Sequence, residues 1–131
     1  EKKMLLGLSA LFKLKILKQN VFRNTNPAIF GVRVEAGKLI RGLRLINESG
    51  EKVGKVKNMQ SENKVVKEAS EGQELAVSVP GVNFERKLAD KSFLYLDMAE
   101  SQFRNFKKNK DLLSANELRV LQEIAEIKRF K

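Results

Sequence analysis

Chemistry in this chain proceeds without thiols or imidazoles, because its 131 residues include no cysteine and no histidine. That removes disulfides, Cys- and His-ligated metal sites, thiol nucleophiles and every triad that relies on a histidine base. Carboxylates remain, and a pair of them is enough to hydrolyse a glycosidic bond. Here they are scattered singly over charged faces and turns, and only Glu74 stands beside an apolar run. No glycine is followed five residues later by Gly-Lys-Ser or Gly-Lys-Thr, so the phosphate loop of nucleotide hydrolases is missing as well. What is left is cationic binding chemistry. Twenty-six Lys and Arg against 16 Asp and Glu give a net charge of +10, which suits a polyanionic partner whose counterions are released on contact. The plain alternative is a lysine-rich solvated surface. Location favours the first: from Lys13 to Lys57 there are eleven basic and three acidic residues, a local excess of +8. Lys13, Lys15, Arg23, Arg33, Lys38, Arg41, Arg44, Lys55 and Lys57 are the candidate phosphate contacts, of the kind that positions a nucleic acid without reading its bases. With one tyrosine, no tryptophan and most phenylalanines on apolar faces, there is no stacking array of the general single-strand binder.

These cations need a scaffold, and the patterning from Val21 to Ile46 outlines it. Phe30, Val32 and Val34 alternate with Gly31, Arg33 and Glu35, so a strand sends the apolar set to one face and the charges to the other. Asn24-Thr25-Asn26-Pro27 ahead of it has loop composition. Gly37 and Gly42 bracket Lys38 to Arg41 as tight-turn positions. Upstream, Lys13, Lys15 and Lys18 interleave with Phe12, Leu14, Ile16 and Leu17 in a strand that is apolar inside and basic outside. Downstream, short strands are expected at Leu43–Ile46, around Val53–Met59, at Val65–Val66, over Gln73–Val79 and over Leu88–Leu96. Turn signals such as Asn47-Glu48-Ser49-Gly50 and Pro80-Gly81 separate them. Six or seven short strands at this spacing describe an all-β barrel or sandwich.

The period changes after Asp97. Asp97 precedes Met98 and Ala99, and Glu100 stands three residues on, which predicts a helix start. Ala99, Phe103, Phe106, Lys110 and Leu113 then follow helical spacing. Ser114-Ala115-Asn116-Glu117 is a capping box opening a second helix from about Ala115 to Phe130. That helix carries two adjacent apolar stripes, Leu118–Leu121–Ala125 and Val120–Ile124–Ile127. One can face the rest of the chain, and the other needs a partner or a second internal contact. At the other end, Met4 to Phe12 is far short of the roughly 20 apolar residues of a membrane span, and reads as a helix end.

Several short pieces, in this order and spacing, resemble a known family: Val21-Phe22-Arg23, Asn26 to Val32, Gly37-Lys38-Leu39, Gly42, Leu45-Ile46-Asn47, Gly50 and Gly54. They continue with Met59-Gln60-Ser61, Val65, Ala69, Gly72, Glu74 to Ser78, Arg86 and Leu94-Tyr95. Together they are similar to the last barrel domain of translation initiation factor 5B, the archaeal and eukaryotic counterpart of bacterial initiation factor 2. The resemblance implies a mainly β fold: a closed antiparallel β-barrel of the elongation-factor second-domain type, followed by two α-helices. It divides the chain into a connecting helix or linker at 1–10, the barrel at 11–97 and a helical hairpin at 98–131. It also implies a non-enzymatic, cytoplasmic, monomeric piece of a longer factor, whose GTP and magnesium are bound elsewhere.

By the same resemblance, Phe30, Gly31, Val32, Gln60, Ser61, Glu74, Leu75 and Ala76 would hold the methionylated acceptor end of initiator tRNA. Arg23, Arg33, Arg41, Arg44, Lys55, Lys57 and Arg86 would touch its backbone, although Glu85 beside Arg86 offers that guanidinium an ion pair. Leu118, Leu121, Ile124 and Ile127, rimmed by Arg119 and Lys128, would dock translation initiation factor 1A on the ribosome. Two rivals stand beside this reading, a protein-docking module alone and a general basic RNA-binding barrel.

Overall fold

A computed structural model describes residues 11–130, so the linker expected at 1–10 lies outside the described residues. The strands are β1 (Leu11–Arg23), β2 (Ala28–Ile40), β3 (Arg44–Asn47), β4 (Lys52–Lys55), β5 (Asn58–Ser61), β6 (Lys64–Val65), β7 (Glu68–Ser70), β8 (Glu74–Val79) and β9 (Phe93–Leu96). Helix α1 (Phe84–Lys87) precedes β9, and α2 (Glu100–Lys108), a 3-10 turn (Lys110–Leu112) and α3 (Ala115–Lys128) follow it.

The antiparallel sheet runs β4-β3-β9-β1-β2-β8-β5-β6, with β7 beside the end of β2. This path has two ends, so the ladders form a curled half-barrel and do not close as expected. The chain itself crosses the seam. β4 leads straight towards β5, with Val56 N donating to Leu43 O at 3.0 Å and Lys57 N to Ser78 O at 2.8 Å. Gly37, expected at a turn, lies within β2 at φ 77, where a Cβ would stand 1.8 Å from Leu11 O. It lets the long strand bend against β1 while pairing continues.

Alternation decides what is inside. Ala28, Phe30, Val32 and Val34 on β2 and Leu75, Val77 and Val79 on β8 are buried, with Phe103, Phe106, Val120 and Ile124 joining the same core from the helices. β9 reads as an uninterrupted apolar run because the core lies on one face and α3 meets the other: Leu94, Tyr95 and Leu96 are all buried, and Tyr95 OH reaches Glu123 of α3 at 2.7 Å. Its predicted beginning at Leu88 is instead the end of α1, which Asn83 caps by accepting from Arg86 N at 3.1 Å. Ser114 and Glu117 form the expected capping box, with Glu117 N donating to Ser114 Oγ at 3.1 Å and Ser114 N to Glu117 Oε1 at 2.9 Å. Asp97 does not start α2. The cap is Ala99, whose N–H is satisfied by Gln102 at 2.9 Å, and Asp97 accepts from Lys128 Nζ at 2.6 Å.

Candidate nucleic-acid interface

On the outer face of β2, Gly31 is paired with Ala76 of β8, and Ala76 in turn with Gln60 of β5. Two residues with little or no side chain thus form the floor of a trough of about 520 Å³. Leu17, Asn20 and Phe22 of β1 wall one side, and Gln60, Glu62 and Asn63 of the β5–β6 hairpin the other. The irregularity in β1 between Leu17 and Val21 turns Phe22 outward, leaving it 67% exposed. A Cβ on Gly31 would lie 3.0 Å from Asn20 Cβ, so this glycine keeps the trough deep.

Along β8 the trough passes into a second hollow of about 410 Å³, which shares Ile29, Gln60 and Ala76 with it and adds Pro27, Asn58, Ser78 and the 66%-exposed Val65. Beyond Ser78 lies a third cleft, of about 560 Å³, formed by Arg41, Gly42, Lys55, Val56, Lys57 and Pro80.

Of the expected acceptor-end residues, Gly31, Gln60, Glu74, Leu75 and Ala76 come together in the trough. Phe30 and Val32 do not: both are fully buried on the opposite face of β2, and Phe30 packs on Phe84 with ring centroids 5.1 Å apart. Ser61 pairs with Lys64 across the hairpin and does not line the trough. Sequence reasoning missed Phe22, Asn20 and Asn63. No local signal marked Phe22, because β1 also carries the adjacent apolar pairs Leu11-Phe12 and Ile16-Leu17, which are buried.

The basic residues divide by counter-charge. Arg33 is held by Glu74 at 3.1 Å and Glu35 at 3.5 Å, Lys38 by Glu68 at 3.4 Å, and Lys13 by Glu123 at 2.9 Å. Arg41, Arg44, Lys55 and Lys57 make no ion pair among the described residues and gather at one end of the wall. Lys15 is also exposed, on β1. Arg23 is exposed and donates to Thr25 O at 3.0 Å. Arg86 is exposed on α1, and the expected pairing with Glu85 is not among its contacts.

On α3 the expected docking anchors Leu121 and Ile124 are core residues, 5% and 0% exposed, because the central residues of both apolar stripes, Val120, Leu121, Ile124 and Ala125, join the core. Ile127 is half-buried. Lys128 is tied to Asp97 and donates to Met98 O at 2.9 Å. Only Leu118, 37% exposed, and Arg119 present surface. Among the described residues no cluster of three or more potential ligands could hold a metal ion, and no helix is long and apolar enough to cross a membrane.

The chain folds as a recognised class of translation-factor domain. The family model described as Elongation factor Tu domain 4 matches residues 12–95, and the chain belongs to that family. The relationship read from the sequence is also the one found in individual relatives. The chain is 41% identical over 118 residues to a probable translation initiation factor IF-2 of Methanopyrus kandleri and 43% identical over 118 residues to that of Archaeoglobus fulgidus. Each alignment covers 89% of this chain and 20% of the relative. The crystal structure of GDP-bound aIF5B from Aeropyrum pernix superposes with a TM-score of 0.87 at 32% identity, over 98% of this chain and 22% of that one. The chain therefore spans about a fifth of the length of these relatives. A bacterial selenocysteine-specific elongation factor, EF-Sec, shares the fold with a TM-score of 0.54 at 22% identity, over 76% of this chain and 17% of that one.

Proposed function

We propose that this chain is the part of an archaeal-type initiation factor that holds the methionylated 3′ end of initiator tRNA on its outer sheet wall. The observation that carries the reading is the trough itself. Gly31 and Ala76 give a floor low enough for an unbranched thioether side chain, with Leu17 and Ile29 as apolar contacts. Asn20, Gln60 and Asn63 offer hydrogen bonds to an ester and a ribose, while Glu62, which makes no ion pair among the described residues, supplies negative charge for a free α-ammonium group, and Glu74 lines the trough already paired with Arg33. Phe22 presents a face on which the terminal base can stack.

In this reading residues 11–97 are the RNA-binding part. Residues 98–131 dock translation initiation factor 1A through Leu118 and Arg119, with Leu121 and Ile124 supporting that surface from beneath. The domain acts as a cytoplasmic monomer on the ribosome by binding alone, and GTP hydrolysis belongs to another part of the factor.

The test is a titration of the chain with acylated and deacylated initiator tRNA at two salt concentrations. The acylated form should bind about tenfold or more tightly at both, since the phosphate contacts that salt weakens most are common to the two forms. A general basic RNA binder would treat the two forms alike, with a steep salt dependence. A pure protein-docking module would bind neither. Either result removes the proposal.

A further inference from the structure

The charge of the trough runs against that of the wall around it. In a chain with 26 Lys and Arg against 16 Asp and Glu, the described residues that line the trough include two carboxylates, Glu62 and Glu74, and no lysine or arginine. The cleft at the end of the same wall is the reverse, with Arg41, Lys55 and Lys57 and no acid among its lining residues. A purely anionic ligand gains nothing from the trough. A polyanion that ends in a single cationic group suits both places, with its phosphates on the wall and its cation in the trough.

Glu62 is the carboxylate available for that cation. Glu74 already accepts from Arg33 Nε at 3.1 Å, whereas Glu62 is exposed and makes no ion pair among the described residues. Its backbone is a second reason to single it out. Glu62 and Asn63 are the two central residues of the hairpin that joins β5 to β6, across which Ser61 pairs with Lys64, and their φ angles are 52° and 64°. A two-residue turn with both angles positive is the form that Asn, Asp and Gly build best. Asn63 fits that preference. Glu62 does not, since it is the short side chains of Asn and Asp that hydrogen-bond locally and tolerate the left-handed conformation. The turn holds its carboxylate at the trough, beside Gln60 of the same hairpin and across from Phe22 of β1.

We infer that Glu62 makes the trough selective for an acyl group bearing a free α-ammonium, so that an end whose α-nitrogen is acylated is bound poorly. This rests on the reading of the trough given above and adds to it a class of ligand that is turned away. Acylation of the nitrogen, by a formyl group or by a growing peptide, converts the ammonium into a neutral amide. The amide brings no charge to Glu62 and leaves its carboxylate facing a ligand that is otherwise anionic. Contacts between the wall and phosphate are the same in either case, so the α-nitrogen decides between ends that the cationic residues cannot tell apart.

The experiment titrates the chain with initiator tRNA carrying, through a stable 3′-amide link, methionyl, N-formylmethionyl or the 2-hydroxy analogue of methionyl. Deacylated tRNA gives the baseline. The hydroxy analogue removes the charge without adding bulk. Methionyl tRNA should bind about fivefold or more tightly than either neutral form, the scale of a charge-assisted contact in a partly exposed site. Glu62→Gln should bring the three acylated forms to within about twofold of one another. Glu62→Asn should do the same while raising the thermal midpoint or leaving it unchanged, because Asn suits the turn. A fall in midpoint in both variants would assign Glu62 to holding the hairpin and overturn the inference. So would equal binding of the three acylated forms by the parent, a hydroxy analogue that binds as methionyl does, or a preference that survives both variants. In each of these cases acylated tRNA that still outbinds deacylated tRNA leaves the trough reading in place. Should deacylated tRNA bind as well as every acylated form, the trough reading falls and the inference with it.

Discussion

The sheet has two outer walls that use similar residues to opposite ends. Under α3, the two lysines at the helix seam, Lys13 of β1 and Lys128 of α3, are both answered by carboxylates. Lys13 Nζ lies 4.3 Å from the Phe93 ring centroid and donates to Glu123 Oε1 at 2.9 Å, and the same oxygen accepts from Tyr95 OH at 2.7 Å. Lys128 closes the far end on Asp97. On the wall of β2, β8 and β5 no helix intervenes. Phe22 and Val65 stand in solvent, the floor is Gly31 and Ala76, and the cations at one end have no acid opposite them. Lysine content does not separate a seam from a site. The presence of counter-charge does, together with side chains small enough to leave room.

The largest expected effect comes from filling the open wall. Gly31→Val places a branched side chain where even a Cβ meets Asn20 at 3.0 Å, so it occupies the trough or pushes β1 outward. Binding of methionylated initiator tRNA should fall more than tenfold, while circular dichroism retains the β-sheet signal, because the position lies in a strand where β-branched residues are favoured. Gly31→Ala should give an intermediate loss. Parent-like affinity in both variants would mean that the trough is not where the acyl group sits, and the contrast between the walls would then reduce to charge alone.

How much of this was legible in sequence depends on range. Alternation placed Phe30, Val32 and Val34 inside and Arg33 outside, as observed, and the Ser114–Glu117 box was readable because both partners lie within one turn. Assigning Phe30 and Val32 to the acceptor-end site followed the resemblance against that same alternation, which reserves one face of β2 for the core. Phe22 was out of reach because the register shift after Leu17 reverses the face of β1. Four-residue α1 is too short to show a period. The pairings that neutralise Lys13 and engage Asp97 join residues 110 and 31 positions apart. No local pattern announces them, so a helix-start signal at Asp97 and a free phosphate contact at Lys13 were natural misreadings. Burial of Leu121 and Ile124 has the same origin: the stripes were visible, but not that the central residues of both would join the core.

The covered wall should respond in stability and not in binding. Glu123→Ala removes the acceptor shared by Lys13 and Tyr95 and leaves two partly buried donors without it, at a cost of about 1–3 kcal/mol. Thermal unfolding should shift down by roughly 3–6 °C per kcal/mol for a domain of this size. Affinity for methionylated initiator tRNA should not change. A large loss of affinity in a folded Glu123→Ala protein would show that the walls are coupled and cannot be treated as separate devices.

The smallest effect probes the seam by pH. Burial raises the Tyr95 pKa above its ordinary value near 10, and the hydrogen bond to Glu123 and the charges of Glu123 and Glu48 raise it further. Because the folded protein holds this proton more tightly than the unfolded chain, the contribution to stability is fully present below about pH 10 and is lost as pH climbs from there through the folded value. Tyr95 is the only tyrosine and there is no tryptophan, so phenolate absorbance follows this one group. In the parent it should develop at higher pH than in urea-unfolded protein. Glu123→Gln, which removes the carboxylate charge, should bring the titration part of the way back, leaving the share due to burial. Coincident titration of folded and unfolded protein would mean that water reaches the Tyr95–Glu123 contact, and the covered wall would then be no better sealed than the open one.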